Sequence, residues 1–443
     1  MTIKENMKTD TIFALSSAKG RAGVAVFRIS GPKSLEVLRK IADHKSDISP
    51  RFLYRVKIIN PNSRELIDDA MFVYFKAPSS FTGEEVVEVH THGSIAIINI
   101  LTEMLLKFEG VRYAEAGEFT RRAVLNDKMD LTKAEGLIDL INSETLMQHK
   151  QSIKQMEGFL YKKCEEWKKE IISVMSLVEA FIDFPDEEIP EQVLEDAENK
   201  INLLKTSFQK YLDDKRRGER LRNGIKLTIY GKPNVGKSSL LNCLTKREVA
   251  IVSEISGTTR DIIETHLDIG GYPIILTDTA GIHEDTKDTI EKEGIRRARI
   301  AVDEADLKIY IQDASGKLAY LELNDDSTIN VVNKIDLGNY ELPEGYLGIS
   351  IKENIGLEAL FEEIAKKAAE LAGNSEDVCI TQTRHRVALQ NSYEALERFN
   401  LRGDIVIAAE ELRIAAFEIS MLIGRIDVED ILDQIFSSFC IGK

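Results

Sequence analysis

The sequence feature that most constrains the fold is the run GKPNVGKS, which begins at Gly231 and ends at Ser238. A β-like run, Ile225–Tyr230, precedes it, and a helical pattern follows from Ser239. A strand, such a loop and a helix in this order bind phosphates, because the backbone amides of the loop and of the helix N-terminus face the anion. Lys237 adds positive charge toward the β and γ phosphates, and the Ser238 hydroxyl can ligate Mg²⁺. A chance match would lack the flanking strand and helix, so the sequence predicts a nucleotide-binding α/β domain.

A second motif, DTAG, follows an apolar run and begins at Asp278. At the end of a core strand, Asp278 can reach Mg²⁺ through water, and Gly281 lets its amide approach the γ-phosphate. The sequence GTTRD between the two motifs lacks clear periodicity, which is typical of a mobile switch loop in which Thr259 completes the Mg²⁺ shell. The residue after the motif is Ile282 and not a glutamine that orients water, so hydrolysis needs another group.

A third motif, NKID, follows another strand-like run and ends at Asp336. A carboxylate there can accept hydrogen bonds from N1–H and the exocyclic amine of guanine, and adenine does not present this pair of donors. Ser350 follows the run Tyr346–Ile349, where small G-domains place a further base-contacting loop. An aspartate at a strand end is often only a turn former. Three motifs in this order nevertheless indicate a G-domain that selects GTP over ATP.

The rest of the chain shows other periodicities. β-like runs (24–29, 71–75 and 86–89) and a helical run (95–108) predict a small α/β domain at the N-terminus. Apolar residues spaced by three and four from Val193 to Tyr211 predict helices, and the last seventy residues are again helical. The basic stretch Lys215–Arg222 is expected to be a linker. A late helical segment buries more apolar surface on the earlier helices than alone, so we predict one helical domain interrupted by the G-domain. The predicted segments are an α/β domain (1–126), a first helical segment (127–217), the G-domain (218–373) and a second helical segment (374–443).

Composition excludes several classes of protein. With 58 basic and 74 acidic residues the net charge is −16, so any nucleic-acid contact must come from a local basic patch. The four cysteines (Cys164, Cys243, Cys379 and Cys440) form no CxxC pair and no zinc-finger spacing. No segment has the apolar length of a signal sequence or of a membrane span. We therefore expect a cytoplasmic protein.

Four sequence blocks resemble one family over essentially the whole chain. They are GRAGVAVFRISG (20–31), FTGEEVVEVHTHG (81–93), AGEFTRRAVLNDKMDLTKAEG (116–136) and the terminal CIGK (440–443). The chain resembles the MnmE (TrmE) family of tRNA modification GTPases. DTAG, Ile282 and Asn234 also resemble GTPases that dimerise through their G-domains and use K⁺ in place of an arginine finger. The resemblance implies an N-terminal folate-binding and dimerisation domain, a discontinuous helical domain and an inserted Ras-like P-loop G-domain.

The resemblance also implies a reaction. With the flavoprotein MnmG, such enzymes add a carboxymethylaminomethyl or aminomethyl group at C5 of the wobble uridine (U34) of certain tRNAs. The carbon comes from 5,10-methylene-tetrahydrofolate, whose 5-formyl analogue also binds. The implied assembly is a homodimer through the N-terminal domain, with G-domains that associate on GTP, in a heterotetramer with MnmG. One alternative is a regulatory GTP switch that recruits RNA or ribosome factors without a covalent role. A folate-dependent transferase with a vestigial nucleotide domain is a weaker alternative, because every G-motif is intact.

Individual site residues follow from matching this sequence to the family's motifs. The folate contacts fall on Arg28, Glu88, Lys128 and Lys443, which residue type alone would class as surface residues. The expected catalytic residues are Asn234, Lys237 and Glu291, of which Glu291 orients water. The expected metal ligands are Ser238 and Thr259 for Mg²⁺, and the Asn234 side chain with the backbone oxygens of Ser253, Ile255 and Thr258 for K⁺. The full set expected to contact GTP is Asn234, Val235, Gly236, Lys237, Ser238, Ser239, Ser253, Glu254, Ile255, Ser256, Gly257, Thr258, Thr259, Asp278, Thr279, Ala280, Gly281, Asn333, Lys334, Asp336 and Ser350.

Two further features allow more than one interpretation. Cys440 matches a family cysteine to which a role in modification is assigned, but a lone cysteine between Phe439 and Ile441 is more often buried packing. His90 and His92 would face the same side of a strand, as two metal ligands could. No third ligand is evident in the sequence, so a metal site there is the weaker interpretation.

Overall fold

The computed structural model describes residues 10–184, 190–247, 250–251, 264–277, 300–315, 325–373, 380–424, 435–436 and 439–442. The chain forms two compact units, of which one comprises Met1–Ile138 with Ile423–Lys443 and the other comprises Asp139–Leu422. The finer division into four segments stays a prediction. Among the described residues, every helix lacks the length or the apolar composition of a membrane span.

The first unit contains a six-stranded sheet with the strand order β3-β4-β5-β2-β1-β6. Only β1 and β6 pair in parallel, and the other neighbours are antiparallel. The three β-like runs predicted from sequence are confirmed as β2, β4 and β5. The strands are β1 (Thr11–Leu15), β2 (Ala22–Ser30), β3 (Leu53–Ile59), β4 (Leu66–Phe75), β5 (Val86–Gly93) and β6 (Val111–Tyr113).

Helices cover this sheet with apolar faces. In the helix Ile95–Leu105, Ile98, Leu101 and Leu105 recur at intervals of three and four and are buried with Phe27 of β2. This periodicity places them on one side of the helix, toward the sheet. The helices of this region of the chain are Ser34–Ile41, Ile95–Leu105, Glu118–Leu125 and Leu131–Ile141.

The second unit contains a seven-stranded sheet with the order β13-β12-β11-β7-β10-β9-β8. The five strands from β13 to β10 are parallel, whereas β9 pairs antiparallel with both β10 and β8. Parallel strands with helices between them form the predicted nucleotide-binding architecture. The strands are β7 (Ile225–Tyr230), β8 (Ala250–Ile251), β9 (Glu264–Ile269), β10 (Tyr272–Thr277), β11 (Leu307–Asp313), β12 (Thr328–Asn333) and β13 (Tyr346–Gly348), and the helices beside them are Lys237–Arg247 and Leu357–Ala372.

The helical region of the second unit combines residues from before and after this sheet. Ala197, Ile201, Leu204 and Phe208 of the predicted apolar stripe are buried. Arg386, from the late segment, donates to Asp214 and Glu219 of the early segment, so the predicted interrupted helical domain is confirmed. Its helices are Leu146–Met156, Phe159–Asp183, Glu191–Leu212, Arg217–Asn223, Thr383–Arg398 and Ile405–Leu422.

The stretch expected to be a linker has a different structure. Residues Arg217–Asn223 form a helix whose Leu221 is fully buried. Arg220 pairs with Asp306, and Arg222 pairs with Asp139, each at 2.7 Å. These partners are far away in the sequence, so the basic side chains connect distant segments of the second unit.

Candidate functional site

The phosphate-binding loop joins β7 to the helix that begins at Lys237. Two glycines are required there by close approach. A Cβ at Gly231 would lie 2.2 Å from the Ile311 carbonyl oxygen, and one at Gly236 would lie 2.4 Å from Asn333 Nδ2. Both residues also have positive φ. The loop therefore closes tightly against β11 and β12, as a phosphate cradle at a helix N-terminus requires.

The polar side chains of the loop face solvent or backbone carbonyls. Lys237 Nζ donates to the carbonyls of Gly231 at 3.1 Å and Lys232 at 2.9 Å. Ser238 and Ser239 lie in the first turn of the helix, and both are exposed. An ammonium beside backbone carbonyls and a serine hydroxyl at the start of the helix fit the β and γ phosphates and their Mg²⁺.

The NKID motif forms the base-recognition loop (333–336), and two of its side chains donate to carbonyls of the phosphate loop. Asn333 is 4% exposed, and its Nδ2 donates to the Val235 carbonyl at 2.9 Å. Lys334 Nζ donates to the Asn234 carbonyl at 3.0 Å. Asp336 lies in the 3₁₀ turn Ile335–Leu337 and is exposed. An exposed carboxylate next to the phosphate loop can accept hydrogen bonds from a guanine base.

Ser350 lies in a neighbouring turn and is fully buried. Its hydroxyl accepts a hydrogen bond from the Glu353 amide at 3.1 Å, and its backbone exchanges hydrogen bonds with Ile355. The Ile351 amide donates to Asn333 Oδ1 at 3.4 Å. The structure therefore brings the Ser350 loop against the base-recognition loop, with the Ser350 side chain shaping the turn.

Several residues of the expected site fall on segments that the structure does not describe. These residues are Ser253, Glu254, Ile255, Ser256, Gly257, Thr258, Thr259, Asp278, Thr279, Ala280, Gly281, Ile282 and Glu291 of the G-domain, and the terminal Lys443.

A second candidate site lies on the sheet of the first unit. Arg28 of β2 and Glu88 of β5 are register partners, and Arg28 donates to Glu88 Oε1 at 2.9 Å. Their side chains are 19% and 18% exposed. The Arg28 guanidinium lies 5.2 Å from the ring centre of Phe81 and 5.6 Å from that of Phe119. A planar cation, a carboxylate and two aromatic rings thus meet at one place.

The charge of Glu88 is stabilised by its neighbours. His90 Nε2 lies 3.7 Å from Glu88 Oε2. This contact and the Arg28 guanidinium hold the pKa of the Glu88 carboxyl below its usual range, against burial, which acts to raise it. Glu88 is therefore ionised at neutral pH and can accept hydrogen bonds.

Lys128, another predicted folate residue, lies beside the loop that carries Phe81, and the described end of the chain reaches β1. Lys128 is exposed, and its Nζ donates to the Pro78 carbonyl at 2.8 Å. A Cβ at Gly83 would lie 3.2 Å from Lys128 Cδ, so the loop that carries Phe81 lies beside Lys128. The terminal CIGK segment runs beside the end of β1, where Ser16 Oγ donates to the Gly442 carbonyl at 2.9 Å.

For Cys440 and for the pair His90 and His92, the structure reduces the number of possible interpretations. Cys440 is exposed, whereas Phe439 beside it is 4% exposed, so the interpretation of Cys440 as buried packing is wrong. His92 Nδ1 lies 2.7 Å from Asp68 Oδ1, and the two side chains form a pair. Among the described residues, no cluster of three His, Cys, Asp or Glu side chains could hold a metal ion.

Sequence reasoning missed two charged groups. Arg122, 1% exposed, donates to Asp10, Glu84 and Glu118. Its only signal was a doubled arginine in a family block. Asp313 ends β11 and pairs with Lys334 at 2.5 Å. A carboxylate at the end of a strand, like those of the DTAG and NKID motifs, could have drawn attention to it.

Comparison with known proteins identifies the family. The family described as GTP-binding protein TrmE N-terminus matches residues 11–128, and the MnmE helical domain matches residues 131–440. A protein of Rickettsia bellii (strain OSU 85-389) named tRNA modification GTPase MnmE is 53% identical over 445 residues, which cover 98% of this chain and 100% of the relative. The chain belongs to the MnmE family. A second MnmE, of Rickettsia rickettsii (strain Sheila Smith), is 52% identical with the same coverage.

Among solved structures, Era of Aquifex aeolicus bound to GDP.AlF4- is 28% identical. That match covers 38% of this chain and 66% of Era with a TM-score of 0.27. Membership of the MnmE family makes the chain a GTP-hydrolysing enzyme that uses GTP with Mg²⁺. The predicted fold class is confirmed by the family matches together with the two sheets and the interrupted helical domain.

Proposed function

We propose that this chain hydrolyses GTP in the modification of the wobble uridine of tRNA, together with the flavoprotein MnmG and a tetrahydrofolate one-carbon unit. The observation that carries the proposal is the Arg28–Glu88 site in the same chain as the GTP site. A regulatory switch needs the GTP site alone. The names of the 52–53% identical relatives, tRNA modification GTPase, support tRNA as the substrate.

The Arg28–Glu88 site has the chemistry that a reduced folate requires. The Glu88 carboxylate can accept from the N–H donors of a pterin, and the rings of Phe81 and Phe119 offer apolar surface to a flat heterocycle. The exposed ammonium of Lys128 suits the carboxylates of the folate tail. Lys443 would add a second cation, and Cys440 would stand at the surface of the same unit.

In the G-domain each residue has a separate task. Lys237 neutralises phosphate charge, Ser238 and Thr259 would hold the Mg²⁺ that supplies further positive charge, and Asp336 selects guanine. Because no glutamine follows the DTAG motif, we assign Glu291 to orient water. The Asn234 side chain and the carbonyls of Ser253, Ile255 and Thr258 would hold K⁺. Asn234 is exposed in the phosphate loop, as a side chain that binds a cation from solvent must be.

The assembly follows from the same proposal. The first unit would form a homodimer and join MnmG in a heterotetramer, and the G-domains would associate when GTP binds. Association of the G-domains would order the loop that carries the K⁺ ligands, which explains how a chain without an arginine finger stabilises charge during hydrolysis.

The test is mass spectrometry of wobble uridines from cells that lack this gene and carry a plasmid copy. The wild-type copy should restore the C5 modification. Lys237→Ala should not restore it, because GTP turnover is lost, and Glu88→Ala should not restore it although GTP turnover stays normal. Full modification with Glu88→Ala would favour the regulatory switch.

A further inference from the structure

The ammonium of Lys334 connects three elements of the GTP site. It donates to Asp313 Oδ2 at 2.5 Å and to the Asn234 carbonyl at 3.0 Å. Asp313 ends β11, Lys334 follows β12, and Asn234 belongs to the phosphate loop. One side-chain nitrogen therefore fixes the base-recognition loop to the phosphate loop.

Both loop residues joined by this nitrogen have an unfavourable backbone conformation. Lys334 has φ +68° and Asn234 has φ +63°. A left-handed conformation costs free energy at a residue with a side chain, and asparagine tolerates it better than lysine does. It persists only when surrounding contacts hold it, and the contacts of the Lys334 ammonium meet that need at both loops.

Asp313 is itself held by its own strand and turn. It is the register partner of Asn333 in the β11–β12 pair, and the Ala314 amide donates to the Asn333 carbonyl. Asp313 Oδ1 accepts from the amide and the hydroxyl of Ser315, at 2.9 Å and 2.8 Å. The second oxygen is thereby aimed at Lys334. Burial acts to raise the pKa of the Asp313 carboxyl, but hydrogen bonds from Lys334 and Ser315 outweigh it and keep that pKa below its usual range.

We propose that Asp313 is a positioning residue for guanine nucleotides, which acts by holding the Lys334 ammonium between the two loops. We assign Lys334 and the phosphate loop to nucleotide contact, and Asp313 would set their spacing. Loss of the Asp313 charge should therefore weaken the binding of every nucleotide that this site accepts, whatever its base. The reason is that Asp313 acts on the positions of the two loops and not on the base itself. The inference deepens the GTP site and does not depend on the folate or K⁺ proposals.

The same two strands offer a matched control at their other end. Asp325 pairs with Lys308 of β11 at 3.1 Å, and its Oδ1 accepts from the amide and the hydroxyl of Ser327. Asp313 and Asp325 thus have the same chemistry, namely a lysine partner and a serine two residues later. Of these two, Asp313 lies at the nucleotide end of the sheet. A purely structural carboxylate–lysine pair would behave alike at both ends.

The experiment measures the affinity and dissociation rate of GDP and GTP for the full chain. Asp313→Asn should bind both nucleotides on the order of tenfold more weakly, the loss expected of one charge-assisted hydrogen bond, through faster dissociation. Asp325→Asn should bind as the wild type does. In a Lys334→Ala background, Asp313→Asn should cause no further loss, because its effect requires the ammonium.

The base preference separates this role from base recognition. Asp336→Asn should shift preference from GTP toward xanthosine triphosphate, whereas Asp313→Asn should leave the ratio of the two affinities unchanged. Wild-type affinity in Asp313→Asn would overturn the proposal. An equal loss in Asp325→Asn, or an undiminished loss in the Lys334→Ala background, would also overturn it.

Discussion

Arg28, at the candidate site of the first unit, and Lys237, at the phosphate loop of the second unit, donate to different kinds of group. In the first unit, Arg28 donates to Glu88, and Arg122 donates to Glu118, so each guanidinium faces a carboxylate. At the nucleotide edge of the second unit, Lys237 donates to backbone carbonyls. A ligand must compete with a carboxylate for the Arg28 guanidinium, whereas at Lys237 it replaces hydrogen bonds to the Gly231 and Lys232 carbonyls.

This difference separates two kinds of binding. A phosphate approaching Lys237 forms a hydrogen bond between two charges, so the phosphate loop favours anions. A ligand at the Arg28–Glu88 pair must instead share both charges, and a heterocycle with donors and acceptors can do so. Arg122 is buried with its carboxylates and has a structural role, because removing one partner would leave an unpaired charge in the interior.

The largest effect should come from the nucleotide edge, at Asn234. If its side chain holds K⁺ in the role of an arginine finger, GTP turnover in K⁺ should exceed turnover in Na⁺ of equal ionic strength by about 10³, the lower end of the arginine-finger effect. Asn234→Ala should remove this difference. A colorimetric phosphate assay in the two salts measures both rates.

The left-handed backbone conformation of Asn234 makes a second variant necessary as a control. Asn234 has φ +63°, so alanine also adds backbone strain, whereas Asn234→Gly removes the side chain without strain. Both variants should lose the K⁺ preference equally. If only Asn234→Ala loses it, the loop conformation matters and side-chain ligation is wrong. Equal wild-type rates in the two salts would remove the K⁺ proposal altogether.

An intermediate effect is expected at the Arg28–Glu88 site, on the binding of 5-formyl-tetrahydrofolate. Glu88→Gln keeps the shape of the side chain but loses its charge, so the full chain should bind the ligand about tenfold more weakly. Asp69→Asn is the matched control, because Asp69 pairs with Arg55 across neighbouring strands of the same sheet but at an exposed position. Isothermal titration calorimetry measures both variants. Equal weakening in both variants would contradict a specific site at Glu88.

Strands, helices and the phosphate loop were predictable from sequence where the residues that determine them lie close together in the chain. Alternating and apolar runs marked β7 and β12, and the glycines at 231 and 236 marked the loop that only small residues permit. The seam of the helix Glu191–Leu212 followed from its spacing of three and four. These signals lie within a few residues of one another.

The rest depends on partners far away in the chain. Arg28 and Glu88 meet through the register of β2 and β5, so residue type alone gave a surface interpretation. The exposure of Cys440 accompanies a bridge between Ile441 and Ala116, more than three hundred residues earlier. Arg222 of the supposed linker meets Asp139 in the same way. Only tertiary structure supplies such pairs.

The smallest expected effect is on the pH dependence of stability, and it distinguishes the Arg28–Glu88 pair from the exposed Arg55–Asp69 pair. The pKa of Glu88 is held below its ordinary value of 4.5 by the His90 contact and by Arg28, against the opposing effect of burial. A depressed folded-state pKa means that the ionised form stabilises the folded unit. This contribution is complete above the ordinary pKa and is lost as the pH falls through the folded-state pKa.

The experiment is urea unfolding at about pH 6 and about pH 3.5, with the hydrogen-exchange protection of amides in residues 10–125 as the readout. On acidification, Glu88→Gln should lose less stability than the wild type does. The Arg55 hydrogen bond also holds the pKa of Asp69 below its usual range, but solvent screens this exposed pair, so Asp69→Asn should change the loss less than Glu88→Gln does. A wild-type pH slope in Glu88→Gln would mean that the Arg28–Glu88 pair adds nothing to folding and that its charges are kept for a ligand alone.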